Sequence, residues 1–199
     1  NNERGLSSMK LWLQSNHVGL NGDTLLVIEN TGLYHRRLMD FCNKHQLQLC
    51  IENGAQVKWS LGIARGKSDK VDSRRLATYA LRFADRLKPA TALQEGIQAI
   101  KDLITLRNRH IVQLSSLPTH LKELKATTDA KAVKELQKLH DPLIKAMKAA
   151  LKKIEASIIK KIQDNAVTKK QYQLLLTIPC IGPVTATYLI ACTNAFTLC

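Results

Sequence analysis

The sequence predicts an α/β plus α protein, in which a small parallel βαβ unit is followed by long helices. Two short apolar runs, at residues 24–28 and 47–51, have the length and composition of strands buried on both faces. Apolar residues recur at heptad spacing after residue 93 and at helical spacing after residue 130. These patterns place the sheet in the first half of the chain and a helical assembly in the second half.

The first half reads as an ordered series of short elements. An amphipathic helix is predicted over residues 4–16, and the first strand over residues 24–28. Gly32 permits a tight turn into a helix over residues 33–45, and the second strand follows at 47–51. Because a helix joins two buried strands, the strands are predicted to run parallel.

Two more helices are predicted before Pro89 closes the first half. One covers residues 57–64, and the other begins after the N-cap Ser68 and runs to about residue 87. Trp12 and Trp59 are expected to anchor packing. The inward face of the later helix is expected to carry Val71, Leu76, Tyr79, Ala80 and Phe83.

The second half predicts an antiparallel helical hairpin. In its first helix Arg107 fills the one core position of the heptad pattern that is not apolar, and Pro118 is expected to end the helix. A second long helix is predicted over residues 130–165, with Lys dominating the outer faces. The apolar positions that define the two stripes are Ile97, Ile100, Ile104, Ile111 and Leu114, then Leu136, Leu143, Met147, Leu151, Ile154, Ile158 and Ile162.

Composition favours a nucleic-acid partner. Thirty Lys and Arg residues against sixteen Asp and Glu give a net charge of +14 and a pI near 9.8, which suits a phosphate backbone or another anionic surface. The five cysteines are irregularly spaced without a C-x-x-C pair, so reduced thiols in the cytoplasm are expected. No leader is evident, and Pro179, Gly182 and Pro183 interrupt the uncharged segment 171–199, so no membrane span is predicted.

Three acids form a candidate site for a divalent metal. Glu29 ends the first apolar run, where open α/β sheets place functional groups. Asp69 and Asp72 are three residues apart on one helix, so their carboxylates share a face. Hard carboxylate oxygens suit Mg²⁺ or Mn²⁺ and two-metal phosphodiester chemistry. For the Asp pair alone, the alternative is that acids ordinarily begin helices.

Basic residues and one glycine form a candidate nucleic-acid contact. The basic residues around Asp69 have three explanations: they contact a phosphate backbone, they form a solvent-exposed face, or they form ion pairs with the two Asp. Residues 174–192 resemble a helix-hairpin-helix, in which backbone N–H groups meet phosphate, although a packed helical pair explains the same pattern. In that segment Cys180 stands where glycine is usual. The candidate nucleic-acid contacts are Lys67, Lys70, Arg74, Arg75 and Gly182.

Three motifs carry a family resemblance: IENTGLY at 28–34, GKSDKVDSRRLA at 66–77 and IPCIGPVTA at 178–186. Together they resemble the DEDD transposases of the insertion-sequence-one-ten family, relatives of the Piv site-specific invertases, over nearly the whole chain. The resemblance implies a partial RNase-H-like (RuvC-like) domain at 1–88 without its first strands, a helical (coiled-coil) hairpin at 89–170 and the start of a C-terminal transposase domain at 171–199.

The resemblance also implies roles for the acids and a set of partners. Glu29, Asp69 and Asp72 match the second, third and fourth acids of the DEDD set, with Mg²⁺ or Mn²⁺ as the cofactor. DNA, a structured guide RNA and a homo-oligomer, dimeric or tetrameric, are the implied partners in a bacterial or archaeal cytoplasm. The first Asp of the set matches no residue here, Asp23 included. The family's serine nucleophile would lie beyond Cys199, so a chain truncated at both ends is expected.

Three functions follow from these observations. The first is a transposase or site-specific recombinase that acts on DNA phosphodiesters with a divalent metal. The second is a basic, non-catalytic protein that binds nucleic acid, with an affinity that ignores Mg²⁺ and falls steeply with salt. The third is an RNase-H-like junction resolvase, which shares the metal chemistry and is expected to lack a second domain.

Overall fold

The computed structural model describes residues 2–62 and 68–198. The chain divides into two compact units, Asn1–Ala92 and Leu93–Cys199. The first contains the sheet, and the second consists of helices and their connections. The predicted change in character between the two halves is therefore present, and the α/β plus α class agrees with the structure.

The first unit is built around two parallel strands joined by a helix, as predicted. Asn53 caps the helix after the second strand by accepting a hydrogen bond from the N–H of Ala55, so that helix begins earlier than predicted. The elements are α1 (Glu3–Ser15), β1 (Leu25–Glu29), a 3₁₀ turn (Gly32–His35), α2 (Arg36–Lys44), β2 (Gln48–Glu52), α3 (Gly54–Ser60) and α4 (Asp69–Arg82).

The register of the strands sets which side chains share a face. Glu29 is opposite Glu52 at the carboxyl ends of β1 and β2. The alternate residues Leu26, Ile28, Leu49 and Ile51 pack with the buried Cys42 of α2. Because side chains alternate along a strand, Glu29 and Glu52 project from the opposite face.

Several burial predictions for the first unit are wrong. β1 is not buried on both faces, because its first and last residues are exposed and the three between are half-buried. In the described residues its one hydrogen-bonded strand partner is β2, so its outer edge is not covered by another strand. Trp12 and Trp59 are 61% and 80% exposed, and Val71 is also exposed. These side chains lie on the outer surfaces of α1, α3 and α4 rather than in the core.

The second unit contains four helices around one core. They are α5 (Ile97–Lys125), α6 (Ala130–Gln163), α7 (Ala166–Leu176) and α8 (Pro183–Cys192). Residues at the beginning of α5 pack against residues at the end of α6, and α7 and α8 complete the cluster. The fully buried members that define the centre of this core are Ile97, Ile162, Ala186 and Ile190.

Pro118 does not end α5, contrary to the prediction. The helix continues through it to Lys125, and Leu121, one turn later, is buried. A proline inside a helix removes one N–H bond and crowds the preceding turn, which costs about 3 kcal/mol. In α5, burial of apolar residues such as Leu121 offsets that cost. The second long helix, α6, also continues through a proline, Pro142.

Two polar contacts fix the packing of the second unit. The Arg107 Nε donates to Glu155 Oε1 at 2.8 Å, which joins α5 to α6. The backbone N–H of Gln94 donates to the buried Oδ1 of Asn194 at 2.8 Å. Within the described part of the chain, the helices are all too short or too polar to cross a membrane.

Candidate metal and nucleic-acid site

The Glu29 carboxylate, at the end of β1, lies in space that is free because Gly54 has no side chain. A Cβ added at Gly54 would overlap with the Glu29 carboxylate, so the first residue of α3 must be small for this rotamer to exist. The N–H of Asn30 donates to the carbonyl of Glu52 at 2.8 Å, which extends the parallel pairing past Glu29. The strand pairing thus fixes the position of the Glu29 backbone, from which the carboxylate extends.

Glu52 is a neighbouring acid that the sequence reasoning missed. It is the register partner of Glu29, and adjacent strands are about 4.8 Å apart. Its Oε2 accepts a hydrogen bond of 3.0 Å from the hydroxyl of Tyr79 on α4. Burial, and then the bond to the Glu52 carboxylate, raise the pKa of Tyr79. The signal that pointed to Glu29, an acid ending an apolar strand, applies equally to Glu52.

Asp69 and Asp72 lie in the first turn of α4, as predicted. The Ser68 side chain caps the helix by accepting a hydrogen bond from the N–H of Val71 at 3.3 Å. Both aspartates are exposed. Acids in this turn are favoured by the partial positive charge of the helix N-terminus, so this turn suits two carboxylates that face water.

The acids fit a divalent cation by chemistry, and the structure presents them as two pairs. Carboxylate oxygens are the ligands that Mg²⁺ and Mn²⁺ prefer. Glu29 and Glu52 form one pair at the strand ends, and Asp69 and Asp72 form the other. Among residues 2–62 and 68–198, His, Cys, Asp and Glu side chains do not gather in threes as a metal site requires. The structure therefore does not bring Glu29 together with both aspartates.

The candidate phosphate contacts differ in their surroundings. Lys67 lies outside the described residues. Lys70 and Arg74 are exposed, whereas the half-buried Arg75 donates from Nη2 to the carbonyl of Gly62 at 3.1 Å. The ion pairs Arg86–Asp85 and Arg107–Glu155 do not involve Asp69 or Asp72. Lys70 and Arg74 thus lie on the exposed surface of α4.

Gly182 lies at the N-cap of α8, at the end of a tight turn. A Cβ added there would meet open space, and the residue is half-buried. Two residues earlier, Cys180 adopts φ 69°, in the left-handed region that favours glycine. The observation that Cys180 stands at a glycine position in sequence thus corresponds to an unusual backbone conformation.

Comparison with known proteins identifies the family. A family model for DEDD transposases of the insertion-sequence-one-ten family, described as Transposase, matches residues 1–128. This match spans β1, α4 and the acids Glu29, Glu52, Asp69 and Asp72. The chain belongs to this transposase family, which confirms the family resemblance; the matched residues include the motifs at 28–34 and 66–77 but not the one at 178–186. No curated protein matches the chain.

Proposed function

We propose that this protein acts on the phosphodiesters of insertion-sequence DNA, with Glu29, Asp69 and Asp72 as the carboxylates that hold a divalent metal. The observation that carries the proposal is the family match over residues 1–128, which includes a strand end with one acid and a helix start with two. A bound Mg²⁺ or Mn²⁺ would supply charge stabilisation at the attacking and leaving oxygens.

The chain's own residues prepare such a site in two ways. Gly54 leaves the room in which the Glu29 carboxylate lies. The cap at Ser68 starts α4 so that Asp69 and Asp72 project from one turn. The parallel β1–α2–β2 arrangement is the reason we infer an RNase-H-like (RuvC-like) domain over residues 1–88.

For the rest of the chain, we infer a helical hairpin over residues 89–170 and a C-terminal transposase segment from residue 171. The start of α5 packs on the end of α6, which supports two antiparallel helices. The resemblance further supports a guide RNA and a homo-oligomer as partners. Lys67, Lys70, Arg74, Arg75 and the Gly182 backbone are the proposed nucleic-acid contacts.

A metal-binding experiment and a strand-cleavage experiment together test the proposal. The Asp69→Asn and Asp72→Asn variants, singly and together, should weaken Mn²⁺ binding measured by electron paramagnetic resonance. They should also lower Mg²⁺-dependent cleavage or joining of insertion-sequence ends by about 10²-fold or more. Asp40→Asn is the matched control, because Asp40 is an exposed acid on α2 of the same unit. Equal activity in the double variant and the wild type would remove the proposed metal role.

A second function, nucleic-acid binding without chemistry, is favoured by one specific observation. Between residues 145 and 161, six lysines of α6 are exposed, in a chain with net charge +14. Binding of this kind should ignore Mg²⁺ and weaken steeply as salt rises, with a logarithmic slope of about −0.9 per phosphate contact. Strand cleavage that requires the metal would exclude it as the whole function. The six lysines are Lys145, Lys148, Lys152, Lys153, Lys160 and Lys161.

A further inference from the structure

Tyr79 links the second strand to the helix that begins with the two aspartates. Its side chain is 3% exposed, and its hydroxyl donates to Glu52 Oε2 at 3.0 Å. The ring also packs against Phe83 on the next turn, with centroids 5.0 Å apart. Because the ring is buried and the hydroxyl has a fixed acceptor, this contact fixes the rotation of α4 about its own axis.

The same rotation determines where Asp72 points. Asp72 and Tyr79 are seven residues apart in one uninterrupted helix. Two helical turns separate them, so their side chains project in nearly the same direction, about 10 Å apart along the axis. A contact that turns Tyr79 toward the ends of the strands therefore turns Asp72 toward the same side.

Glu52 is suited to this contact and less suited to binding a metal itself. One of its carboxylate oxygens already accepts the Tyr79 hydroxyl, and the residue is half-buried. Glu29, its register partner, is exposed and lies against Gly54. Of the two acids at adjacent strand ends, Glu29 faces solvent and Glu52 is hydrogen-bonded to α4.

We propose that Glu52 is a positioning residue, which through the Tyr79 hydroxyl holds the Asp72 face of α4 toward the strand ends that carry Glu29. The inference rests on the metal role proposed above for Glu29, Asp69 and Asp72. It assigns Glu52 to orientation of the site rather than to coordination of the metal.

Three variants of the whole chain separate positioning from coordination. Tyr79→Phe removes the donor and keeps the ring, Glu52→Ala removes the acceptor, and Glu52→Gln removes the charge while its amide oxygen can still accept the hydroxyl. Tyr172→Phe is the control, since Tyr172 is a buried tyrosine of the other compact unit. Mn²⁺ affinity is measured by electron paramagnetic resonance, and hydrogen exchange is measured across α4 in metal-free protein.

The expected pattern is specific. Tyr79→Phe and Glu52→Ala should weaken Mn²⁺ binding by about tenfold or more, as loss of an outer hydrogen-bond partner does. Glu52→Gln and Tyr172→Phe should bind Mn²⁺ as the wild type does. The double variant Tyr79→Phe with Glu52→Ala should be no weaker than either single variant, because both remove one contact. A variant that lowers only the melting temperature would show a merely structural role and overturn the inference.

Two other results would overturn it. Wild-type affinity in Tyr79→Phe would show that the contact does not matter to the metal, and a loss in Glu52→Gln equal to that in Glu52→Ala would make Glu52 a ligand. If Asp69→Asn and Asp72→Asn leave Mn²⁺ binding unchanged, the proposed function fails instead. Hydrogen exchange then decides the positioning role: faster exchange of α4 in Tyr79→Phe and Glu52→Ala, but not in Glu52→Gln, supports it, and equal exchange rejects it.

Discussion

Arg107 and Glu155 form a contact between α5 and α6 in which the two partners differ in burial. The Arg107 Nε lies 2.8 Å from Glu155 Oε1, and the two side chains are 16% and 41% exposed. Arg107 occupies the one core position of the α5 heptad pattern that is not apolar. The Arg107 guanidinium is therefore the more deeply buried member of the pair. It has less access to water than the Glu155 carboxylate, so it loses more when its partner is removed.

This difference predicts unequal effects of removing each partner. Glu155→Ala leaves a largely buried guanidinium without its acceptor and should lower the free energy of unfolding by about 1–3 kcal/mol. Arg107→Leu leaves a carboxylate that still reaches water and places an apolar side chain in the core, so it should change stability by less than about 1 kcal/mol. Urea unfolding followed by circular dichroism measures both. Glu135→Ala, at an exposed position of α6, is the control, and equal losses in the two variants would contradict the prediction.

A second prediction concerns the space beside Glu29. Gly54→Ala places a methyl group where the Glu29 carboxylate now lies. Because Glu29 is exposed and can rotate away, stability should change by less than about 0.5 kcal/mol. Mn²⁺ affinity should fall, because the carboxylate leaves its present position. Gly22→Ala is the control, since its Cβ would meet only an ordinary contact at 3.9 Å. Metal binding that survives Gly54→Ala unchanged would argue against the present Glu29 rotamer as the binding one.

A third prediction follows from the backbone of Cys180. Its φ of 69° is unfavourable for a residue with a Cβ and is normal for glycine. Cys180→Gly should therefore raise the free energy of unfolding by about 0.5–1 kcal/mol. Cys192→Gly should lower it by up to about 1 kcal/mol, because Cys192 belongs to α8. Thermal melting of both variants gives the two signs, and a loss of stability in Cys180→Gly would be inconsistent with strain at that position.

A fourth prediction concerns alkaline pH. Burial raises the pKa of the Cys42 thiol from 9.0 to about 11. The native state keeps the proton while the unfolded state loses it, so the stabilisation is fully present below pH 9 and is lost between pH 9 and 11. The loss should reach about 2–3 kcal/mol. Cys42→Ala should remove this part of the pH dependence, while the buried Tyr79 and Tyr172 hydroxyls continue to contribute above pH 10 with the same sign. Identical pH profiles of the two proteins would refute it.

Local pattern predicted the elements of the first unit well, and it predicted their exposure poorly. Two apolar runs joined by a helical segment were enough for a parallel pair, because few connections join adjacent buried strands. The same runs did not reveal that β1 pairs with β2 alone within the described residues, since pairing depends on which other strands are present. Trp12 and Trp59 are exposed because the fold places their helix faces outward, and residue type alone does not encode this.

The candidate site was predictable where sequence spacing alone determines geometry. Asp69 and Asp72 follow a helix cap, and their spacing places them on one turn. The contact from Tyr79 to Glu52 joins residues 27 positions apart, and it exists only once α4 packs on the sheet. Helix spacing relates Asp72 to Tyr79 but does not reveal which neighbour Tyr79 meets. Which acids from different helices and strands come together therefore depends on tertiary packing, and spacing in the sequence does not predict it.

The prolines inside α5 and α6 affect where these helices bend most easily. Pro118 lies in the later part of α5 and Pro142 in the earlier part of α6, on either side of the short connection between them. Each proline frees the carbonyl four residues before it, at Leu114 and Lys138, and weakens the helix at that point. We therefore expect bending of α5 and α6 to concentrate at these two points rather than in the isoleucine core.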